Sequence, residues 1–417
     1  MTRFKNNKLA YLTFFLLLTT VSSFAQEQKQ TDSIKSKSSS LGPSSVGGQI
    51  DKDQTVESKL LKNYFDFKDN FETKSNFSYG VDYFSNFQVA TASLGDNSAF
   101  SGVFRVYGNW NLIGKKSGNN GALVFKVENR HAYGNNIPGQ SLGGEIGYIG
   151  LTSTTFSDVH WALTNFYWLQ EFAQGKIKFA LGQVDATDYF NIYALVDPWN
   201  DFSNLQFSTG VTIPAPNQGL GAVIQGRLTK NYYVMAGISD ANGSPTEPLD
   251  GFDSFFKVAE YFTLAEFGWV KSYQERFTDN IHLSFWHVAN RVALNIPSGW
   301  GLNFSYTRLF KEHWQPFLRA GYAKNGGALY EGSIEAGVGY KFSPKQNLVG
   351  IGLGWGQPSE STFFDGVEDQ LTIELFYHWQ KFKTFILTPD VQFIINPAQN
   401  PTSNFITVFG LRGRIFI

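Results

Sequence analysis

From Asn76 to Ile417 the side chains alternate, run after run, between apolar and polar. In Asn76–Ala90, Phe77, Tyr79, Val81, Tyr83, Phe87 and Val89 oppose Ser78, Gly80, Asp82, Asn86 and Gln88. Phe104, Val106, Trp110 and Leu112 oppose Arg105, Tyr107, Asn109 and Asn111, and Leu123, Phe125 and Val127 oppose Lys126, Glu128 and Arg130. Near the end, Phe385, Leu387, Val391, Phe393 and Ile395 face away from Thr388, Asp390, Gln392 and Asn396. A period of two belongs to a strand with one greasy and one wet face. One such run fits any half-buried sheet. The repetition is what constrains: about sixteen or seventeen runs follow one another, with roughly 20 to 22 residues per strand plus connection. Residues 145–151 are the weakest of them, being short and glycine-rich. Short turns are expected at Ala173–Gly175, Thr229–Asn231, Lys311–His313, Ser343–Gln346 and Lys381–Lys383.

Two architectures compete for this pattern, a soluble sandwich or propeller and a membrane barrel. A sandwich exposes a charged outer face. Here charged residues are 17% and aromatics 17%, with 41 glycines. The polar faces carry Asn, Gln, Ser, Gly and a few paired charges, which suits a wet interior. The expected fold is an all-β transmembrane antiparallel barrel of about 16 strands with a polar lumen. That number of strands leaves an aqueous channel, whereas about eight would be filled by side chains. Aromatics gather near predicted strand ends, as in Trp161, Phe166, Tyr167 and Trp168, or Phe376, Tyr377 and Trp379, where girdles meet the lipid–water boundaries. The last segment puts Phe405, Phe409, Leu411, Ile415 and Ile417 on one face and Gly410, Arg412 and Arg414 on the other. An amphipathic strand there closes a barrel without a free edge.

The first 75 residues read differently. Arg3, Lys5 and Lys8 precede an apolar run from Leu9 to Val21, and Ser23-Phe24-Ala25 supplies small residues for a signal peptidase, so residues 1–25 are expected to be a cleaved export signal. Its removal takes away three cations and no acid, moving the net charge from −1 to −4. Residues 26–54 are polar and low in complexity, a linker. Residues 55–75 read either as a short plug-like or capping helix built on Leu60, Leu61, Tyr64, Phe65 and Phe71, or as an unstructured lead-in. The barrel domain then spans 76–417. With no cysteine, disulfides and thiol-ligated metals are excluded. The near-neutral charge argues against a nucleic-acid partner.

Several stretches carry a family likeness: ELFYHWQ (Glu374–Gln380), LTPDVQFIINP (Leu387–Pro397), GLRGRIFI (Gly410–Ile417), and earlier WLQEFAQGKIKFALGQVDATDYF (Trp168–Phe190), GLGAVIQGRL (Gly219–Leu228), AGISDANG (Ala236–Gly243) and NIHLSFWHV (Asn280–Val288). From about Trp161 onward the chain resembles the carbohydrate-selective porin family of Gram-negative outer membranes, the OprB type. The family's tryptophan-, glycine- and arginine-bearing opening is replaced here by FDFKDNFETKSNFSYGV. The resemblance implies a sixteen-stranded barrel through which sugars diffuse passively.

A diffusion pore needs width, polar lining and flat apolar surfaces rather than a nucleophile or a metal. The longest irregular connection, Ala186–Asn217, is the candidate constriction loop. With Asp185 before it, the loop holds Asp188, Asp197, Asn200 and Asp201 beside Tyr189, Tyr193, Trp199 and Phe202. By alternation Arg105, Lys126, Glu128, Arg130, Lys176, Lys178, Arg227, Glu335, Arg412 and Arg414 face the interior. A basic wall near the barrel closure is expected to stand opposite the acidic loop. The six histidines lack metal-ligand spacing; His282 and His287, the nearest pair, fall on opposite strand faces. No GxSxG elbow is present, and SDANGSPTE (Ser239–Glu247) reads as a turn rather than a calcium loop. The expected function is facilitated diffusion of mono- or oligosaccharides without a cofactor, in contact with outer-membrane lipid. Monomer and homo-oligomer are both left open. The alternatives are a general or ion-selective porin, a lipid-acting barrel enzyme, and a surface carbohydrate-binding protein.

Overall fold

The computed structural model describes residues 59–114, 117–342, 347–363, 366–382 and 384–417. The expected signal peptide, the linker and the Ser343–Gln346 turn lie outside these residues. Sixteen strands follow in order: β1 (Phe77–Ala90), β2 (Ser98–Ile113), β3 (Gly121–Ala132), β4 (His160–Phe172), β5 (Ile177–Val184), β6 (Gly219–Arg227), β7 (Tyr232–Asp240), β8 (Tyr261–Val270), β9 (Asn280–Val288), β10 (Gly299–Thr307), β11 (Trp314–Lys324), β12 (Tyr330–Lys341), β13 (Leu348–Pro358), β14 (Gln370–Phe382), β15 (Phe385–Ile395) and β16 (Phe405–Phe416). Each pairs antiparallel with its neighbours in sequence, and β16 returns to β1 with Asp82 opposite Phe416 and Ala90 opposite Val408. The closed ladder satisfies the backbone without an edge, as a hydrocarbon surround demands. Among the described residues no helix is long and apolar enough to cross a membrane.

Alternation sorts the two faces. Phe87, Phe166, Leu181, Phe267, Leu283, Ile334, Leu353 and Phe409 stand exposed on the outside. Asp82, Asn86, Gln88, Arg105, Lys126, Glu128, Glu335, Arg412 and Arg414 point inward and are buried. So much exposed apolar surface is expected only where lipid covers it. Two aromatic belts bound this band. At the rim with the long connections, Trp300 meets Tyr322 at 5.7 Å and Phe104 meets Trp161 at 6.3 Å between ring centres. At the rim with the short turns, Trp314 meets Tyr340 at 4.8 Å, and Tyr340 meets Phe342 at 5.2 Å.

Four sequence expectations need correction. Residues 145–151 form no strand: a helical turn at Leu142–Glu145 leads into an irregular segment lodged inside the barrel. Tyr167 and Phe376 belong to neither belt, because both point inward and are buried. At Tyr167 a register shift between Lys126 and Val127 re-phases β4 against β3. Lys176 sits exposed in the turn before β5 instead of on the inner face. The lead-in is a helix, α1 (Lys59–Ser75), yet it neither plugs nor caps the lumen. It lies against the outward side of β1, where Phe71 meets Phe77 and Tyr79 at 6.2 and 6.3 Å.

Candidate functional site

The connection between β5 and β6 folds into the barrel and is fastened there from many strands. Asp185 starts it as a cap, accepting from the Thr187 N–H at 2.9 Å. Asp188 accepts from Asn165 of β4 at 3.2 Å and lies 3.7 Å from Lys126 of β3. The loop then crosses the lumen. Asn191 N–H donates to Glu266 of β8 at 2.8 Å, and the Tyr193 ring lies under Arg319 of β11, 4.7 Å from the guanidinium. Next comes the far wall. Arg412 of β16 donates to the carbonyls of Pro198 and Asp201 at 2.8 and 2.5 Å. Glu374 of β14 takes both the Ser203 and Asn204 N–H groups at 2.7 and 3.0 Å. The chain returns past Glu335 of β12, which accepts from Gln206 at 2.8 Å, and past Asn303 of β10, which donates to Thr212 at 2.8 Å.

A second inward segment, the β3–β4 connection at 133–159, packs between this loop and the wall. Tyr148 donates to Asn204 at 3.0 Å, the Leu205 N–H donates to the Leu151 carbonyl at 2.9 Å, and Gln88 of β1 and Gln392 of β15 both donate to the Thr152 carbonyl. Gly147 has φ +73°, and a Cβ there would lie 2.7 Å from the Asn400 N. Glycine therefore lets this segment slide under the β15–β16 connection. Apolar contacts complete the seal. Ile192, Tyr193, Leu195, Val196, Phe202 and Phe207 pack on Phe317 and Phe376 of the inner wall. Trp199 lies 4.4 Å from Phe84 and 5.6 Å from Phe156, with the Arg105 guanidinium 4.9 Å from its ring.

The wall beneath is charged, and its charges are paired within the wall itself. Arg105 and Arg414 both donate to Asp82 Oδ2, at 2.6 and 2.7 Å, and Arg105 and Asp82 are 0% exposed. Arg130 is paired with Glu128 at 2.5 Å. On the loop, burial first and the neighbouring Asp197 second hold the Asp201 carboxyl well above the usual carboxylate range.

The wall from β4 to β9 differs. Near the short-turn rim Lys178 and Glu171 pair at 2.7 Å while keeping 10% and 12% of their side-chain surface open. Arg227 of β6 and Arg276 of the β8–β9 turn stack on Tyr273 at 4.5 and 4.6 Å. Both arginines are half-buried, and Arg276 also donates to the Tyr273 carbonyl at 2.8 Å. Arg276 and Tyr273 border a recess that includes Tyr189, Gln225, Tyr233 and Glu266.

The carbohydrate-selective porin, OprB family, matches this sequence over residues 114–415. The chain belongs to that family. The high-pH structure of Pseudomonas putida OprB superposes with a TM-score of 0.67 at 14% identity, covering 85% of this chain and 97% of that one. Its low-pH structure gives 0.51 at 14% identity, covering 87% and 100%. A Rh. blastica porin variant gives 0.52 at 10% identity, covering 82% and 100%. At these identities the likeness concerns the fold. No curated protein matches.

In this porin the sequence-selected residues divide into separate groups. Asp197, Trp199, Asn200, Asp201 and Phe202 gather on the far wall with Arg412 and Arg414. Tyr193 and Phe202 anchor the loop on Phe317, and Glu335 holds Gln206. Tyr189 and Arg227 lie toward the open wall. The expected opposition of basic wall and acidic loop needs revising. Arg105 and Arg414 share Asp82 of the wall itself, and Arg412 holds loop carbonyls. Only the Lys126–Asp188 approach matches the expectation among the described ion pairs. The loop aromatics are buried anchors, with Trp199 only 5% exposed, so they offer no free stacking face. Glu374, Arg319, Gln392 and Arg276 were missed. One signal was available: Phe84, Phe317 and Phe376 are apolar residues on otherwise polar strand faces, and each is a docking point for the loop.

Proposed function

We propose that this porin sits in the outer membrane, that sugars cross it by facilitated diffusion, and that the β5–β6 loop sets the constriction. The observation that carries this is the loop's course: it spans the barrel interior and is fastened to β8, β11, β14, β16, β12 and β10. A loop so held narrows the lumen to a fixed width, and fixed width with fixed polar groups is what discriminates among permeants. The route runs along the β4–β9 wall. There the half-buried guanidinium groups of Arg227 and Arg276 stand against the Tyr273 ring. Sugar hydroxyl oxygens accept from these guanidinium groups as the solute passes. No step on this route makes or breaks a covalent bond, so the protein acts as a channel and not as an enzyme.

Liposome swelling with purified protein tests the reading. Swelling should be faster in sugars than in amino acids of similar size. Equal rates would remove the selectivity and leave a general porin; rates no greater than in empty vesicles would remove the pore.

A further inference from the structure

Helix α1 (Lys59–Ser75) carries an apolar arc that the barrel does not use up. On a helical projection Phe67, Phe71, Tyr64, Leu61 and Phe65 fall on one side with Lys68 and Glu72 among them, and Lys62, Asp66, Asp69, Asn70 and Thr73 fall on the other. Part of that arc meets the barrel. Tyr64 and Tyr79 approach hydroxyl to hydroxyl at 3.4 Å, and Lys68 lies 5.0 Å above the Tyr79 ring. Phe67 and Phe71, one helical turn apart and stacked at 6.1 Å, remain 59% and 37% exposed. Their place decides what covers them. Phe71 touches Phe77 and Tyr79, and Phe77 in turn meets Trp110 and Phe125 at 6.3 and 6.1 Å. All four are outward residues at the short-turn rim, so the exposed phenylalanines continue the belt that borders lipid. The helix also covers a weak stretch of wall. The ladder between β1 and β16 begins at Val81, whose N–H donates to the Ile417 carbonyl at 3.1 Å, and Phe77–Gly80 pair with β2 alone.

We propose that α1 lies flat in the membrane interface at the short-turn rim, with Phe67 and Phe71 sunk at the headgroup–acyl boundary, and clasps the barrel seam from the lipid side. A helix with one apolar and one charged face adopts this posture at a bilayer surface. The inference rests on the membrane reading of the barrel and not on which solute passes.

The chain has no cysteine, so single cysteines report unambiguously. Phe67→Cys, Phe71→Cys and Asp66→Cys, each carrying an environment-sensitive fluorophore, would be reconstituted as full-length barrels in phosphatidylcholine vesicles. Spin-labelled phosphatidylcholine should quench the labels at 67 and 71, and aqueous iodide should quench them about threefold less than the label at 66. Iodide quenching of all three labels alike would place the helix in water and overturn the proposal. Sugar flux measured in the same vesicles separates the two readings, since a shielded helix in a non-conducting barrel would sink the channel and spare the clasp.

Discussion

The two halves of the lumen wall solve different problems with similar residues. From β11 through β16 to β2 the inner face is sealed. Asp82 is shared by two arginines, Glu374 holds two backbone N–H groups, and Phe84, Phe317 and Phe376 supply grease for the loop to sit on. From β4 to β9 Arg227 and Arg276 are only half-buried over Tyr273, and Lys178 and Glu171 stay partly open. A buried charge is held by protein partners, whereas a charge open to water can exchange that water for a passing solute. Similar side chains are therefore structural on one wall and available on the other.

The largest effect is expected from breaking the sealed half at its centre. Asp82→Ala leaves Arg105 and Arg414 buried together without their shared anion, and should cost about 3–5 kcal/mol, read from denaturant unfolding in detergent. A stability unchanged by this substitution would mean water already compensates those charges. Trp199→Ala removes the ring between Phe84, Phe156 and Arg105. The loss of about 3 kcal/mol should fall on loop docking more than on the barrel. Single-channel conductance should rise and sugar selectivity decline, and an unaltered channel would take the loop out of the constriction.

The open half should respond in the opposite sense. Arg276→Ala should leave unfolding and ion conductance near the parent values. It should weaken block of the ion current by sugar about tenfold, as expected for a lost charged hydrogen bond worth about 1.5 kcal/mol. The same loss from Arg412→Ala without a conductance change would erase the distinction between the halves.

The smallest effect concerns pH. The folded loop raises the Asp201 carboxyl, so the folded state binds that proton more tightly than the unfolded chain. Its contribution is complete below the ordinary carboxylate value of about 4 and is lost as pH rises through the raised one. Loop docking should loosen on alkalinisation, seen as growing current noise. Asp201→Asn should flatten that response, and an identical pH profile in parent and variant would assign it elsewhere.

Much of the barrel was legible because alternation is a local property. Every inward residue quoted from β1 to β3 lies where a period of two puts it, and the terminal strand closes on β1. The failures share one cause. Residues 145–151 look like a weak strand because Gly147 and Gly150 interrupt an apolar run, yet those glycines serve the tight passage of an internal segment. Lys176 follows the strand pattern by one residue too many, into a turn. Trp199 reads as a flat surface for a sugar, and only its neighbours Phe84, Phe156 and Arg105, distant in sequence, show that both faces are occupied. The lone phenylalanines on polar faces were the visible trace of the docked loop.

Alternation, scarce charge and the spacing of turns determined by themselves that this chain forms a wide barrel with apolar residues outside and polar ones within. They did so because a strand's two faces are set by adjacent residues. Which inner residues serve structure and which await a solute was decided only in three dimensions. A charge's role depends on whether its partners are protein groups or water, and those partners arrive from loops and strands far along the chain.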